Sequence, residues 1–294
     1  MESDHCKIAN WEFLNRWSIH TLPFETHSPI PHWEQLESFI GSAAKVSELI
    51  RRKVVEMHKK SDILLKDFDG DPLNTDWKKF RPLRLSREED WSDWLAFLIE
   101  NSLGWFNQSL LERSGFTFED YLKPRVEREV SSGGYRSDII ILWRNKHADH
   151  LEVKIGDPDL GKTYGTSAAM RKRYGEMVTS WHDWILLLEG QIYDWQLTSE
   201  KVSSNDTYNE ISIKPITWID VAVAIRWCLY NEKESIQWRS WAFAFTGAIV
   251  TTLCEIKSSA FMSQRRKVFH LTDSVQLLET IYTRSMNDGD KESE

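Results

Sequence analysis

The sequence is poor in cysteine, has no long apolar run and carries no excess of positive charge. Its three cysteines, Cys6, Cys228 and Cys254, are an odd and widely spaced set without a C-x-x-C pair. That pattern argues against a disulfide framework or a zinc site and is expected of reduced cytoplasmic thiols. The opening residues MESDHCKIANWEF hold neither a basic nor an apolar stretch, so a signal peptide is not expected. The most apolar segment, Ser240 to Cys254, is about 15 residues long and lies between Arg239 and Glu255. A membrane span needs roughly 20 apolar residues, so a buried helix and no membrane partner are expected here. The net charge of −8 leaves no global basic field. A polyanionic partner would therefore be met by local basic patches or through a metal ion. There is no G-x-S-x-G, no Walker loop and no G-x-G-x-x-G, which leaves serine hydrolase, nucleotide triphosphatase and dinucleotide-binding readings without support. Internal repeats and low-complexity tracts are also absent.

What is present is a chain of 294 residues with 15 tryptophans, long enough for one large domain or a compact core with extensions. Residues 33–60 space Leu36, Phe39, Ile40, Ala43, Val46, Leu49 and Ile50 at three- and four-residue intervals, which predicts one amphipathic helix or a pair. The turn-rich stretch DFDGDP follows. Its acids suggest a calcium loop but lack the terminal Glu at EF-hand spacing. The next segment, LSREEDWSDWLAFLIENSLGWF, predicts a helix capped by Ser86 and Glu89, with Glu88, Trp91, Ser92 and Leu95 on its inner face.

From Arg125 the period changes to two. PRVEREV and SDIIILW predict two strands and HADHLEVKI ends as a third, joined to the second through RNKHAD, with His147 and His150 expected in the hairpin loop. TSAAMRKRYGEMVTSW predicts a helix, HDWILLLEG and EISIKPITWID two more strands, and DVAVAIRWCLYNE a helix capped by Asp220. Two further helices are expected near 235–256 and 269–286. Strands interleaved with helices point to an α/β fold with a central mixed sheet flanked by helices on both faces.

Three charges interrupt this apolar pattern. Glu152 and Lys154 share one face of their strand, and Asp138 shares a face with Ile140 and Leu142 on the strand before. By periodicity alone they are either a salt-bridged strand end, worth only ~0–1 kcal/mol, or a site. Two converging carboxylates could hold Mg²⁺ together with waters and a substrate phosphate, and a nearby lysine could orient water or stabilise developing charge.

Asp138, followed 14 residues later by Glu152-Val153-Lys154, resembles the signature of the PD-(D/E)XK nucleases, the restriction-endonuclease-like superfamily. The element order over roughly residues 85–225 is similar to that family's αβββαβ core. The resemblance implies residues 83–230 as the nuclease core, with helical extensions at 1–82 and 231–294. It implies Asp138 and Glu152 as ligands of Mg²⁺, or Mn²⁺ in its place, with Glu88 assisting from the helix four residues before Ser92. Lys154 would position or activate water. Two departures stand out: Ser137 precedes Asp138 where the motif nominally has Pro, and Arg171, Lys172 and Arg173 occupy the place of a Gln beside Tyr174.

The implied activity is Mg²⁺-dependent endonucleolytic hydrolysis of phosphodiester bonds, of DNA rather than RNA, in bacterial anti-phage defence or restriction. The alternative is a catalytically silent nuclease-fold module that binds protein or nucleic acid. Arg136, expected on the Asp138 face, and Arg171, Lys172 and Arg173, expected at the start of a helix after the site, are the candidate contacts to nucleic-acid phosphates. The helical extensions are candidate surfaces for a homodimer or a partner protein.

Overall fold

A computed structural model describes residues 33–75, 85–156, 159, 161–203, 211–256 and 271–287. The chain divides into two compact units, Met1–Val46 and Ser47–Glu294. In the first, residues 33–46 are the opening of helix α1 (Trp33–Leu64), and residues 41–46 are exposed. The helix pattern of residues 33–60 thus forms one helix and not two. Its buried stripe in the second unit runs through Ile50, Val54, His58 and Ser61, whereas Leu49 is exposed.

The second unit is built on a five-stranded mixed sheet in the order β1-β2-β3-β4-β5. The strands are β1 (Arg125–Ser132), β2 (Tyr135–Leu142), β3 (His147–Val153), β4 (Ser180–Leu187) and β5 (Ile213–Thr217). The first three pair antiparallel and the last three parallel. Parallel neighbours need crossover connections. Helix α4 (Lys162–Tyr174) provides the one between β3 and β4, and α5 (Ile192–Ser203) the one between β4 and β5. The sequence pattern missed α5, because IYDWQLTSEKVS has too few apolar residues at helical spacing to declare itself; the parallel pairing of β4 with β5 needs a crossover there, and α5 forms part of it.

Alternation along the strands sorts the core. Ile139, Ile141, Leu151, Val153, Leu186 and Ile216 face a large apolar cluster. That cluster is shared with α2 (Glu88–Glu100), α3 (Trp105–Leu110), α6 (Trp218–Tyr230), α7 (Ile236–Ala248) and α8 (Leu271–Asn287). The opposite face carries two smaller clusters: Val130 and Ile140 with Met170 and Tyr174 of α4, and Ile185, Leu187 and Ile213 with Tyr164 and Trp195. Each such fully buried side chain contributes ~1.5–3 kcal/mol. The apolar segment after Arg239 forms α7 and continues as a π-helical turn, Ile249–Leu253. Among the described residues no helix is long and apolar enough to cross a membrane.

Several element ends differ from the sequence pattern. The β2–β3 turn is residues 143–146, with Lys146 at φ 60 and Trp143 N donating to His147 O, so His147 and His150 belong to β3 and not to a loop. Helix α4 stops at Tyr174, which places Arg171, Lys172 and Arg173 in its last turn and not at its start. Helix α6 is capped by Thr217, whose side chain accepts from Asp220 N, while the Asp220 carboxylate accepts from Thr217 N. Asp220 is therefore the third-position partner of that cap.

A polar network inside the second unit was not visible in the sequence. Arg226 of α6 and Asp71 are both fully buried and pair through two hydrogen bonds of 2.6 and 3.1 Å. Ser61, Tyr282 and the Leu73 amide also donate to Asp71. The burial of Asp71 acts to raise its pKa, but the Arg226 charge and the bonds from Arg226, Ser61 and the Leu73 amide outweigh it and hold the carboxyl down at about 2. The one acid of the DFDGDP turn that is buried is thus turned into the core toward an arginine.

Candidate functional site

The site grows from the ends of β2 and β3. The antiparallel register Ile139↔Leu151 makes Asp138 and Glu152 the next step of the ladder. The ladder stops there: the Val153 amide donates to the Asp138 carboxylate at 2.8 Å. On its other side, pairing with β1 passes from Arg128↔Ile139 to Val130↔Ser137 and skips Glu129, which sits at φ 52. A non-glycine residue in the left-handed region within a strand is a local distortion of the kind that gathers at functional sites. The sheet is therefore opened on both sides of Asp138. Beyond β3, Lys154 N donates to Leu186 O at 2.9 Å, and Gly156, at φ 100, turns the chain out.

Helix α2 brings the third acid. Its N-cap is Arg87, one residue later than the pattern predicts, because Asp90 and not Glu89 accepts the Ser86 and Arg87 amides, each at 2.9 Å. Glu88 is then the first helical residue, and its carboxylate accepts the Ile155 amide at 2.7 Å. This bond ties the start of α2 to the end of β3. Ser92, four residues on, is buried and donates to Glu89 O.

Asp138, Glu152 and Lys154 are each buried, with no more than 8 % of their surface exposed. Lys154 Nζ lies 3.3 Å from Glu152 Oε1. The electrostatics are unequal. Burial, the Glu152 charge and, more weakly, that of Glu88 push the Asp138 carboxyl up to about 8, against the Val153 amide and Lys154. Glu152 is also buried, but His150 and Lys154 hold it below the usual range. The desolvation of Lys154 is outweighed by Glu152, Glu88 and Asp138, so the ammonium form is favoured. In this arrangement the two acids are pushed in opposite directions, Asp138 toward its protonated form and Glu152 toward its ionised form.

His150 and Asp183 were not identified as site residues from the sequence. His150 is fully buried two residues before Glu152, on the same face of β3, and its Nε2 is 3.4 Å from Glu152 Oε2. The pair is close enough for charge attraction but not aligned as a hydrogen bond, and both atoms are buried without a hydrogen-bond partner. The His150 Nδ1 bonds Asp183 Oδ1 at 2.9 Å, across the parallel register His150↔Asp183. Burial lowers the imidazole pKa, but Asp183 and Glu152 overcome it and carry it to about 9. The His150-x-Glu152-x-Lys154 alternation is legible in the sequence; Asp183 is found only through the register of β4.

The basic candidates separate. Arg136 is exposed and ion-paired at 2.9 Å with Glu129 and at 3.5 Å with Glu89. Arg171 is committed to Asp183. Arg173 Nη1 donates to Ser131 O at 2.5 Å, and Lys172 is exposed. Among the described residues no group of three or more His, Cys, Asp or Glu side chains is arranged to hold a metal ion. In comparisons with protein-family models, curated proteins and solved structures, nothing matches the chain.

Proposed function

We propose that the chain is a Mg²⁺-dependent endonuclease of the PD-(D/E)XK type that hydrolyses phosphodiester bonds, of DNA rather than RNA, in a bacterial anti-phage or restriction setting. The observation that carries the reading is the meeting of Asp138, Glu152 and Lys154 where the β2–β3 ladder opens, with Glu88 bound to the amide next to Lys154.

The donor set suits a hard cation. Asp138 is held protonated mainly by burial and by Glu152, and Glu152 Oε2 is buried without a hydrogen bond. A divalent cation between them would relieve both conditions. Two carboxylates, with waters and a phosphate oxygen, are the ligand number that Mg²⁺ commonly accepts from a protein. When bound, the ion would polarise the phosphoryl oxygen and lower the pKa of a bound water.

The chain's own residues supply the rest. Asp138 and Glu152 would hold the cation. Glu88 fixes the end of β3 and adds negative charge. Lys154, favoured as the cation chiefly by Glu152 and Glu88, orients the attacking water or stabilises charge developing on the phosphate. Lys172, Arg136 and Arg173 are exposed and are the candidates for contact with backbone phosphates, Arg136 by exchanging Glu129 and Glu89, and Arg173 by exchanging Ser131 O, for a phosphate.

The silent-module reading draws on one observation, the pairing of Glu152 with both Lys154 and His150, which already neutralises that acid. The two readings part in a cleavage assay on supercoiled, linear and single-stranded DNA and on RNA, with Mg²⁺ and with chelator. The nuclease reading expects Mg²⁺-dependent cleavage that Asp138→Ala and Lys154→Ala abolish. Cleavage that persists in either variant sinks the site assignment, and metal-independent binding without cleavage favours the silent module.

A further inference from the structure

Asp183 is buried on β4, and both its oxygens are engaged. Oδ1 accepts from His150 Nδ1 and from Trp181 Nε1, each at 2.9 Å; Oδ2 accepts from Arg171 Nε at 2.8 Å and Nη2 at 2.5 Å. Because the Asp183 carboxylate is an acceptor, the hydrogen on His150 Nδ1 is fixed and the ring is turned so that Nε2 faces Glu152. We infer that Arg171, Asp183 and His150 are positioning residues that hold the Glu152 carboxylate, Arg171 acting from behind through Asp183 and not by contact with nucleic acid. The inference rests on the proposed nuclease reading.

Three features support it. The chain of contacts crosses from the last turn of α4 through β4 to β3, and its far end is the candidate ligand Glu152. Glu152 Oε2 has no hydrogen-bond donor of its own, so the His150 ring beside it is the group that sets its surroundings. Arg171 places two guanidinium nitrogens on one buried oxygen and leaves about a third of its side chain exposed (32 %), whereas a phosphate-reading arginine keeps its fork for the ligand. Residues standing behind a metal ligand typically change metal affinity or activity ~10–100-fold when removed.

The test uses the full chain with Arg171→Ala, Arg171→Lys and His150→Gln. Mn²⁺ alone is titrated by calorimetry, and DNA cleavage is resolved into kcat and KM. Arg171→Ala and His150→Gln are expected to weaken Mn²⁺ binding ~10–100-fold and to lower kcat, with KM for DNA unchanged; Arg171→Lys, which keeps the charge on Asp183, recovers part of the loss. If His150→Gln does not fold by circular dichroism, Arg171→Ala, at the partly exposed end of the contact chain, carries the test. Mn²⁺ affinity equal to that of the unaltered chain, or a raised KM at unchanged kcat, overturns the inference and leaves the nuclease reading standing. An unaltered chain that takes up no Mn²⁺ removes both.

Discussion

Replacing Arg226 with Met removes the cation from a fully buried ion pair of the second unit. The methionine fills the space of the aliphatic stem, so the main effect is on Asp71, which has no exposed side-chain surface. Its hydrogen bonds from Ser61, Tyr282 and the Leu73 amide would remain, but no counter-charge would. Breaking a buried pair in this one-sided way costs ~3–5 kcal/mol. A second number comes from acid. Asp71 is lowered from 3.8 to about 2, a shift of about two pKa units, or about 2–3 kcal/mol of pH-linked stability. For a depressed carboxyl this stability is fully present above pH ~4 and is lost as the pH falls toward ~2. Urea unfolding followed by tryptophan fluorescence, run from pH 7 down to pH 2.5 on the unaltered chain, Arg226→Met, Asp71→Asn and the double variant, measures both. The double variant should lose less than the sum of the single losses, and Asp71→Asn should flatten the acid limb. A loss below about 1 kcal/mol for Arg226→Met, well under the range for a broken buried pair, or an acid limb unchanged in Asp71→Asn, refutes the reasoning.

Asp138 has the opposite sign: raised from 3.8 to about 8, it makes the metal-free chain progressively less stable as pH rises between those values, since the folded form holds a proton that the unfolded form has released. In chelator, Asp138→Asn should therefore match the unaltered chain near pH 4 and exceed it by pH 8, and an offset that does not change with pH refutes this. Glu234 is buried and accepts from Ser102 Oγ, Leu103 N and Phe106 N at the start of α3. Glu234→Gln leaves one donor without its acceptor, at a cost of ~1–3 kcal/mol in the same unfolding assay; no change would show that water replaces it. Arg136→Ala and Lys172→Ala should raise KM for DNA at unchanged kcat, each reducing the salt slope of binding by about one unit; an unchanged slope removes them from the interface.

Much of the fold was readable because strands and helices print their periods on the sequence. The alternation set Asp138 opposite Ile139 and Ile141 on one strand and Glu152 opposite Leu151 and Val153 on the next, and the five strands followed from the same pattern. What failed were the ends and the weakly patterned pieces. The cap of α2 moved from Ser86 to Arg87 because two acids in adjacent positions compete for the same amides. Helix α5 was missed because its amphipathic signal is diluted by polar residues.

The sequence by itself determined which charged residues share a strand face, since that depends only on a two-residue repeat along one chain segment. It also placed Glu88 on the inner side of its helix, by the 3.6-residue repeat. The partners were decided by tertiary structure. Register brought Asp138 level with Glu152, and parallel pairing brought Asp183 against His150. The fold also turned Arg171 from a surface cation into the anchor of a buried acid, and it joined Asp71 to Arg226 across 155 positions of sequence. Those contacts depend on how separate elements pack, and no repeat within a single element encodes them.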